Sequence, residues 1–325
     1  MSVRMKTVAH SSTQTETRRF RPHVQSLVRF GSAIARLIPL DLQLFREFLI
    51  LGSMAFREYQ LNFNFRSLRL NILWSAGAFP DRLTRHMLFH GLYQNDVLIW
   101  IQHHSRKGDI VFDVGAFHGL MSIVASKAVG PSGRVMAFEP NPIAREWLNT
   151  HLRLNKCSNV TVESIGLMDF EGSANFYVQE GDVTWNSSFI REFVDPKHNL
   201  TPVDVKCTSI DAYVRKTGLI PTLIKIDTEG TELSVLEGAK ETIERYKPIL
   251  VLEMNPASAR QAGTTLSNLV DRLEALSYSL KVIKPTRWGR FSIKNEELFK
   301  EIIHTASDLT NVVCIPPGRG KSTSF

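Results

Sequence analysis

Two features of the sequence indicate its chemistry most clearly. One is a glycine loop, and the other is a carboxylate that follows the next predicted strand. Residues 108–119 read G-D-I-V-F-D-V-G-A-F-H-G, and within them 110–114 form a short apolar, β-branched run with Asp113 near its end, closed by Gly115. This pattern predicts a buried strand and a tight turn, and the helical spacing over 120–129 predicts a helix after it. In an open parallel sheet, ligands bind at the carboxyl ends of such strands.

The glycine spacing restricts the ligand that this loop could hold. Gly115 and Gly119 enclose three residues, whereas the dinucleotide fingerprint needs a glycine two positions after the first, where this chain has Phe117. A side chain there would crowd a pyrophosphate, which disfavours a nicotinamide cofactor. The second predicted strand, 134–138, is followed by Glu139, whose carboxylate can accept both hydroxyls of a ribose. A ligand with a ribose but no phosphate fits both features, and S-adenosylmethionine is the common one.

The ends of these two strands are expected to form the cofactor site. Asp113 and Gly115 would meet the methionine moiety, Glu139 the ribose, and backbone groups near Gly166 an adenine ring. Each acid alone is explained as well by a loop cap or a solvated strand end, but their joint placement favours binding. The predicted cofactor-binding residues are Asp113, Gly115, Ala116, Gly119, Glu139 and Gly166.

A second charge-dense segment follows the fourth predicted strand. Lys225 and Asp227 share one strand face by the period of two, and a lysine in an apolar strand needs a partner, for which Glu253 is a candidate. Asp227 or Glu229 would then project toward the sulfonium side of the pocket, so these two are the candidate catalytic residues. An ion-paired cluster that caps the next helix, including Glu232, explains the segment about equally well.

Two further groups are candidates for a metal ligand set or for contact with an acceptor. Asp227, Glu229 and Glu232 could collect Mg²⁺, which takes oxygen ligands, but helix starts favour acids in any case, so no metal is predicted. His118 lies in the glycine loop and is a weaker candidate for an acceptor contact, with packing as the alternative.

The elements that must position these groups form an α/β pattern. Seven predicted strands alternate mostly with helices, which implies a Rossmann-like, mostly parallel sheet covered by helices on both faces, with room for one antiparallel strand near the end. Residues 170–178 and 203–210 resemble an extra pair of strands around an irregular insert, 179–202, that has the length of a functional lid or of a disordered loop. The seven strands are 110–114, 134–138, 160–163, 223–226, 249–253, 280–283 and 311–315.

The motifs together resemble the FkbM family of S-adenosylmethionine-dependent methyltransferases. The resemblance covers residues 96–256, with weaker agreement to 316, and its order and spacing are more specific than any single motif. It implies a Rossmann-like methyltransferase fold and, usually, O-methylation of a hydroxyl on a sugar, polyketide or other small metabolite. The motifs are G-D-I-V-F-D-V-G-A-F-H-G, V-M-A-F-E-P-N-P, L-N-K-C-S-N-V-T-V, T-S-I-D-A-Y, L-I-K-I-D-T-E-G-T-E and I-L-V-L-E.

Composition is that of a soluble globular protein, with 43% hydrophobic and 22% charged residues. Three scattered cysteines suggest a reducing compartment rather than a disulfide framework, and the polar N-terminus lacks a secretory signal, so a cytoplasmic location is expected. The net charge is +7, and the basic excess precedes Ile110. The catalytic part is therefore not expected to bind nucleic acid.

The domain boundaries follow from these patterns. Residues 1–17 are predicted to be a disordered tail, 18–95 a helical N-terminal extension, 96–316 the methyltransferase domain and 317–325 a loose tail. The basic helical spacing of the extension favours a cap packed on the catalytic domain. Peripheral contact with a membrane surface is the alternative.

The reaction expected is in-line methyl transfer to a hydroxyl of a small acceptor. Positioning can supply about 7–11 kcal/mol of the barrier, and a carboxylate or histidine that takes the hydroxyl proton contributes about 10²–10⁴-fold. Two alternatives are a non-catalytic protein that binds S-adenosylmethionine or serves as a membrane-associated scaffold, and an NAD-dependent oxidoreductase, which the glycine spacing disfavours.

Overall fold

The computed structural model describes residues 3–8, 58–65, 68–74, 94–179, 187–193, 200–285, 291–294 and 310–318. The chain divides into two compact units, Met1–Tyr93 and Gln94–Phe325. None of the helices in these described ranges is long and apolar enough to cross a membrane.

The described part of the N-terminal unit is a three-stranded antiparallel sheet of β1 (Val3–Val8), β2 (Glu58–Phe65) and β3 (Leu68–Trp74). These strands replace the disorder predicted for 3–8 and the helix predicted for 58–65 and 68–74. The reason is a period of two: apolar positions alternate along β2 and β3, and the register sets Tyr59 opposite Trp74. The remaining residues of the predicted tail and helical extension before Gln94 lie outside the described ranges, so those predictions stay predictions.

The C-terminal unit alternates strands and helices, as predicted. In chain order its strands are β4 (Ile110–Val114), β5 (Arg134–Phe138), β6 (Val160–Glu163), β7 (Gly166–Leu167), β8 (Gly172–Gln179), β9 (Leu200–Thr208), β10 (Leu223–Ile226), β11 (Ile249–Met254), β12 (Ser279–Pro285), β13 (Phe291–Lys294) and β14 (Thr310–Ile315). Its helices are α1 (Asn95–His104), α2 (Leu120–Val129), α3 (Pro142–Leu154), α4 (Ile210–Thr217), α5 (Glu232–Glu237), α6 (Lys240–Tyr246), α7 (Pro256–Gln261) and α8 (Leu266–Ala275).

Eight of these strands form one sheet in the order β13-β12-β14-β11-β10-β4-β5-β6. The five strands from β11 to β6 are parallel, whereas β14 runs antiparallel between β11 and β12. The predicted mostly parallel α/β sheet is therefore confirmed, including the expected antiparallel strand. The short edge strand β13, paired antiparallel with β12, is an addition to the seven strands predicted.

Helices cover both faces of this sheet. On one face, alternate strand residues such as Phe112, Ile224 and Leu250 join residues of α4, α5, α6 and α8 in one apolar core. On the other face, Ser122 of α2 donates a hydrogen bond to Asp113 of β4, and α1 packs against α2. The β4 strand is thus buried between two helical layers.

The predicted extra pair of strands is confirmed as part of a smaller sheet, β7-β9-β8. β8 and β9 pair antiparallel, and β7 adds parallel to β9. The described part of the insert between β8 and β9, which we call the 187–193 segment, forms an antiparallel bridge from Ser188 to Tyr177. Its Phe189 packs on the apolar cluster around Phe176 and Val205 of this sheet.

Candidate active site

The candidate site lies at the carboxyl ends of β4, β5 and β10. The chain leaves β4 toward β5 and β6 on one side, and later builds β10 and β11 on the other. At such a switch point the loops diverge and leave a crevice in which α/β proteins bind ligands. The predicted adjacency of the first two strand ends is confirmed, because Val114 lies opposite Phe138 in the parallel register.

The glycines of the loop after β4 are required by close packing. Gly115 and Gly119 have φ of 77° and 80°, in the left-handed region. A Cβ atom at Gly115 would collide with the carbonyl oxygen of Asp227, and one at Gly119 with the side chain of Leu148. The glycines therefore let the β4 loop meet the β10 loop and α3, and direct contact of Gly115, Gly119 or the buried Ala116 with a cofactor stays a prediction.

Glu139 is held in one orientation by backbone donors. The amide of Phe117 donates to Oε2 at 2.6 Å, and the amide of Asn141 donates to Oε1 at 2.8 Å. An ionised carboxylate has about four acceptor sites, so these two bonds leave capacity for the two hydroxyls of a ribose. Burial raises the pKa of Glu139 to about 7, although the two amides and the Arg145 guanidinium oppose the shift.

Asp113 makes its contacts with protein groups rather than with an open cleft. Its side chain is 1% exposed. Oδ2 accepts from the Ser122 hydroxyl at 2.5 Å, and Oδ1 lies 3.8 Å from Lys225 Nζ. Burial raises the pKa of Asp113, and the Lys225 ammonium and the Ser122 hydroxyl oppose this. Asp113 thus ties β4 to α2 and β10, and its predicted contact with the methionine moiety stays a prediction.

Gly166 is also explained by packing. It lies in β7, where a Cβ atom would collide with the ring of Phe189 and lie 3.3 Å from Cys207 Sγ. A side chain would therefore separate β7 from the 187–193 segment. The predicted contact of this backbone with an adenine ring stays a prediction.

Three carboxylates meet at the ends of β10 and β11. Asp227, Glu229 and Glu253 each offer one carboxylate oxygen, and these oxygens lie within 4.8 Å of one another. We call these three residues the acid cluster. Lys225 is beside it, with Nζ 2.9 Å from Asp227 Oδ2. The structure therefore brings both candidate catalytic residues together with Glu253.

The predicted pairing of Lys225 with Glu253 is corrected. Lys225 pairs with Asp227 and Asp113 instead, and Glu253 accepts a hydrogen bond from Gln94 Nε2 at 2.6 Å. Burial alone would lower the pKa of Lys225, but the carboxylates of Asp227 and Asp113 outweigh it and raise that pKa. The lysine therefore stays charged and neutralises one acid in the neighbouring strand β4 and one acid just after its own strand.

Glu232 does not belong to the group of acids that could share a cation. Its carboxylate accepts from the amides of Thr228 and Gly230 at 3.0 Å and 3.1 Å, and from the Thr228 hydroxyl at 3.2 Å. These bonds fold the loop after β10 onto the first turn of α5. The capping interpretation is thus the right one for Glu232, and Glu253 takes its place beside Asp227 and Glu229.

The acid cluster carries more negative charge than its surroundings neutralise. Burial raises the pKa of Glu229 and of Glu253 well above the usual range, and the neighbouring charge of Asp227 raises both further. Two buried carboxylates with raised pKa values, close to a third acid and one ammonium group, favour a retained proton or a positive ligand. Such a group can take a proton from an acceptor hydroxyl.

Backbone strain is concentrated at this site. Among the described residues other than glycine, six have positive φ, and Lys156, Lys247 and Ser277 are at or just after helix ends, where this is ordinary. The other three all lie around the site: Gln94, which contacts Glu253, has φ 45°, Phe117 has 46° and Glu229 has 54°. Such conformations cost about 1–3 kcal/mol each and persist where the surroundings fix them, often at functional sites.

His118 has a packing role within the glycine loop. Its ring stacks on Phe117, with centroids 3.9 Å apart, and lies 5.9 Å from the rings of Trp147 and His151. His151 Nδ1 donates to the His118 carbonyl at 2.8 Å. Burial lowers the pKa of His118 well below its usual value, so the ring is neutral. These contacts favour the packing alternative over an acceptor contact.

The sequence did not point to the residues that cross this edge of the sheet. The 187–193 segment is anchored on both sides: Asn141 Nδ2 donates to Ser187 Oγ at 3.1 Å, and Ser188 Oγ donates to the Glu229 carbonyl at 2.9 Å. The part of the insert that the structure describes therefore lies where the predicted lid would lie. Only the length of the insert signalled this, because isolated serines form no motif.

The fold and the site together define a doubly wound α/β protein with a crevice at its switch point, the place where proteins of this class bind nucleoside-type ligands. The pattern that defines the family described as "Methyltransferase FkbM domain" matches residues 113–280, just over half of the chain. The chain belongs to this family, which confirms the resemblance of its motifs. No curated protein sequence is similar enough to count as a match.

Several solved methyltransferase structures show a distant likeness to this chain. An FkbM methyltransferase from Methylobacillus flagellatus is 16% identical with a TM-score of 0.42, and the match covers 90% of this chain and 60% of that one. A precorrin-6y C5,15-methyltransferase from Geobacter metallireducens is 16% identical with a TM-score of 0.38, covering 68% and 87%. A SAM-dependent O-methyltransferase from Thermotoga maritima is 11% identical with a TM-score of 0.38, covering 73% and 72%. Likenesses this distant assign no substrate.

Proposed function

We propose that this protein transfers a methyl group from S-adenosylmethionine to a hydroxyl of a sugar or another small metabolite. The observation that carries the proposal is the position of β4, which separates Glu139 on one side from the acid cluster on the other. One side offers acceptors for a ribose, and the other offers carboxylates that can take a proton. In the described part of the site, the glycine loop and the 187–193 segment both contact the two sides.

Glu139 is the ribose acceptor in this proposal. Its two backbone donors fix the carboxylate before any ligand arrives, so little further ordering is needed on binding. When bound, S-adenosylmethionine supplies an electrophilic methyl group, which passes to the acceptor oxygen as the sulfur–carbon bond breaks. The residues of the chain hold the acceptor and receive its hydroxyl proton.

Asp227 and Glu229 are the candidates that receive this proton. Asp227 carries an ion pair with Lys225, whereas burial and neighbouring charge raise the pKa of Glu229 well above its usual range. A carboxylate whose pKa is raised is a stronger base than an ordinary carboxylate, which favours proton transfer from a hydroxyl. Glu229 is therefore the stronger candidate for the base, with Asp227 placed to orient the acceptor by a hydrogen bond.

The charge of the cluster also limits the class of acceptor. Carboxylates accept hydrogen bonds from hydroxyl groups and repel anions, and both effects are strong where water is partly excluded. A neutral polyol or glycoside suits the cluster, and a phosphorylated or carboxylated acceptor does not. The expectations of a cytoplasmic location, of no nucleic-acid partner and of peripheral membrane contact through the N-terminal region stay predictions, as does the expectation that no metal takes part.

The direct test is methyl transfer from S-adenosylmethionine with a labelled methyl group. Neutral glycosides and polyols should become labelled, with one S-adenosylhomocysteine released per methyl transferred, and their phosphorylated counterparts should not. Cofactor binding without label in any acceptor would favour the non-catalytic scaffold. Binding of NADH in place of S-adenosylmethionine would favour the oxidoreductase. Unchanged turnover in EDTA is expected if no metal takes part.

A further inference from the structure

We infer that Ser188 is a positioning residue that places the Glu229 carboxylate in the acid cluster, an inference that rests on the proposed function. Within the described residues, the hydrogen bonds of Ser188 go to backbone groups and not to the cluster carboxylates or the glycine loop. Its hydroxyl instead donates to the main-chain carbonyl of Glu229 at 2.9 Å. The effect on chemistry is therefore indirect and acts through the backbone of the loop after β10.

Ser188 is itself firmly held. It is fully buried, and its hydroxyl also accepts from the Ile190 amide at 3.0 Å. Its amide and carbonyl exchange hydrogen bonds with the carbonyl and amide of Tyr177, at 3.2 Å and 2.9 Å. The hydroxyl therefore reaches Glu229 from a position fixed by the smaller sheet.

The peptide that joins Glu229 to Gly230 is held at both of its polar atoms. Ser188 binds its carbonyl oxygen, and the Glu232 carboxylate accepts from its N–H at 3.1 Å. A peptide unit is planar, so two bonds on opposite sides of it fix the orientation of the whole unit. That orientation, together with the positive φ of Glu229, decides where the Glu229 side chain leaves the backbone.

This conformation is one that Glu229 would not hold without support. A left-handed φ of 54° is uncommon for a residue with a side chain, and it brings the Glu229 carboxylate near those of Asp227 and Glu253. Relaxation of the peptide would relieve both the backbone strain and the repulsion between like charges. The carboxylate would then leave the cluster, and its pKa would fall toward that of an ordinary glutamate.

The test compares Ser188→Ala with the intact protein. Loss of one hydrogen bond predicts a fall in kcat of about threefold to tenfold, and the acidic limb of the pH–kcat profile should move to lower pH. The affinity for S-adenosylmethionine should stay unchanged. Ser126→Ala is the matched control, because Ser126 is also buried and its hydroxyl donates to Asn159 rather than to the site. It should leave kcat and the pH profile unaltered.

A double variant separates positioning from general structural damage. If Ser188 acts through the Glu229 carboxylate, Ser188→Ala added to Glu229→Gln should cost no further turnover than Glu229→Gln alone. The inference would be overturned if Ser188→Ala lowered kcat by the same threefold to tenfold in the Glu229→Gln background. An unshifted pH profile in Ser188→Ala would overturn it as well. Ser188→Cys, which keeps the size and a weak donor, should give an intermediate loss and serves if the alanine variant does not fold.

A measurement that needs no turnover keeps this inference distinct from the proposed activity. NMR titration of labelled glutamate side chains should show one carboxylate with a raised pKa that disappears in Glu229→Gln and falls in Ser188→Ala. If that shift is found but no acceptor is methylated, the proposed function fails and the positioning role stands. If the titration of this carboxylate is the same in both proteins, the positioning role fails.

Discussion

Lys225 and Asp113 lie opposite each other on neighbouring parallel strands, with Nζ 3.8 Å from Oδ1 and both side chains at most 6% exposed. The lysine also reaches Asp227 at 2.9 Å. One ammonium group thus neutralises a buried acid in β4 and a second acid after β10. The strands β4 and β10, on either side of the switch point, therefore rely on the charge of Lys225 to neutralise their acids.

Replacing that lysine should therefore destabilise the protein strongly. Lys225→Met leaves the acids without their partner, and breaking a buried pair in this way costs about 3–5 kcal/mol. Urea unfolding measures the change. Arg215→Met is the matched control, because its pair with Glu241 is exposed, at 59% and 71%, and contributes no more than about 1 kcal/mol. Equal stability of Lys225→Met and the unaltered protein would contradict the assignment of this pair.

Glu139→Gln should weaken the binding of S-adenosylmethionine. Hydrogen bonds to a charged group contribute about 1.5–3 kcal/mol, which corresponds to a loss of about 10- to 150-fold in affinity by calorimetry. Glu163→Gln is the control, because Glu163 ends the next strand and accepts from the Tyr213 hydroxyl at 2.9 Å. It should bind the cofactor as the unaltered protein does. An unchanged affinity in Glu139→Gln would remove Glu139 from the cofactor site.

Cofactor affinity should also depend on pH through Glu139. Its pKa is raised to about 7 by burial, so the ionised form that accepts two hydroxyls dominates above pH 7. Affinity should be constant well above that pH and fall by about tenfold for each unit below it. Calorimetry in buffers of different ionisation enthalpy would detect the proton released on binding near pH 6. The same dependence in Glu139→Gln would assign it to another group.

Asp227→Asn should spare cofactor binding and reduce turnover. Amide replacement keeps the shape but removes the charge that orients the acceptor and attracts its proton, and such groups contribute about 10²–10⁴-fold to the rate. Steady-state kinetics and calorimetry on the same preparation separate the two effects. Asp204→Asn, on the exposed face of β9, is the control and should change neither. Full turnover in Asp227→Asn would exclude it from the mechanism.

The acid cluster should make the folded state more stable at lower pH. Burial and neighbouring charge raise the pKa of Glu229 and Glu253 in the folded protein, so the folded state binds more protons than the unfolded chain between the usual glutamate range and the raised values. Stability from these groups is complete below that range and is lost as pH rises through the raised pKa values.

Thermal unfolding at pH 6 and pH 8 measures this effect. Glu253→Gln removes one charge of the cluster, so it should raise Tm at pH 8 and reduce the difference between the two pH values. Glu171→Gln, at an exposed position, is the control and should leave that difference unaltered. A larger loss of Tm at pH 8 in Glu253→Gln would show that the cluster is stabilised by its full charge.

The sequence was sufficient for features that depend on local pattern. The glycine loop, the alternation of strands and helices, and Glu139 at a strand end could be found because each follows from a short run of residues. The acid cluster could be found only in part: Glu253 is far from Asp227 in sequence, and parallel strand order brings them together. Gln94 and Ser188 were missed because single polar residues gain their role only from tertiary contacts.

The N-terminal region shows a different kind of error. The spacing of apolar residues and arginines predicts a helical extension over 18–95, although the pattern of 56–95 is ambiguous. The alternation along β2 and β3 has the period of a strand, and pairing between the two strands supports it. The spacing of apolar residues in one segment therefore does not predict the secondary structure of the segment that follows it.

The position of β14 affects the order in which the large sheet can assemble. It comes last among the described strands, yet it lies inside the sheet, between β11 and β12. Before β14 is in place, no strand hydrogen bonds connect β12 to the five parallel strands. Both β11 and β12 then have an unpaired edge. Open strand edges are sites of association between chains, so the sheet is exposed to such association until β14 pairs with both neighbours.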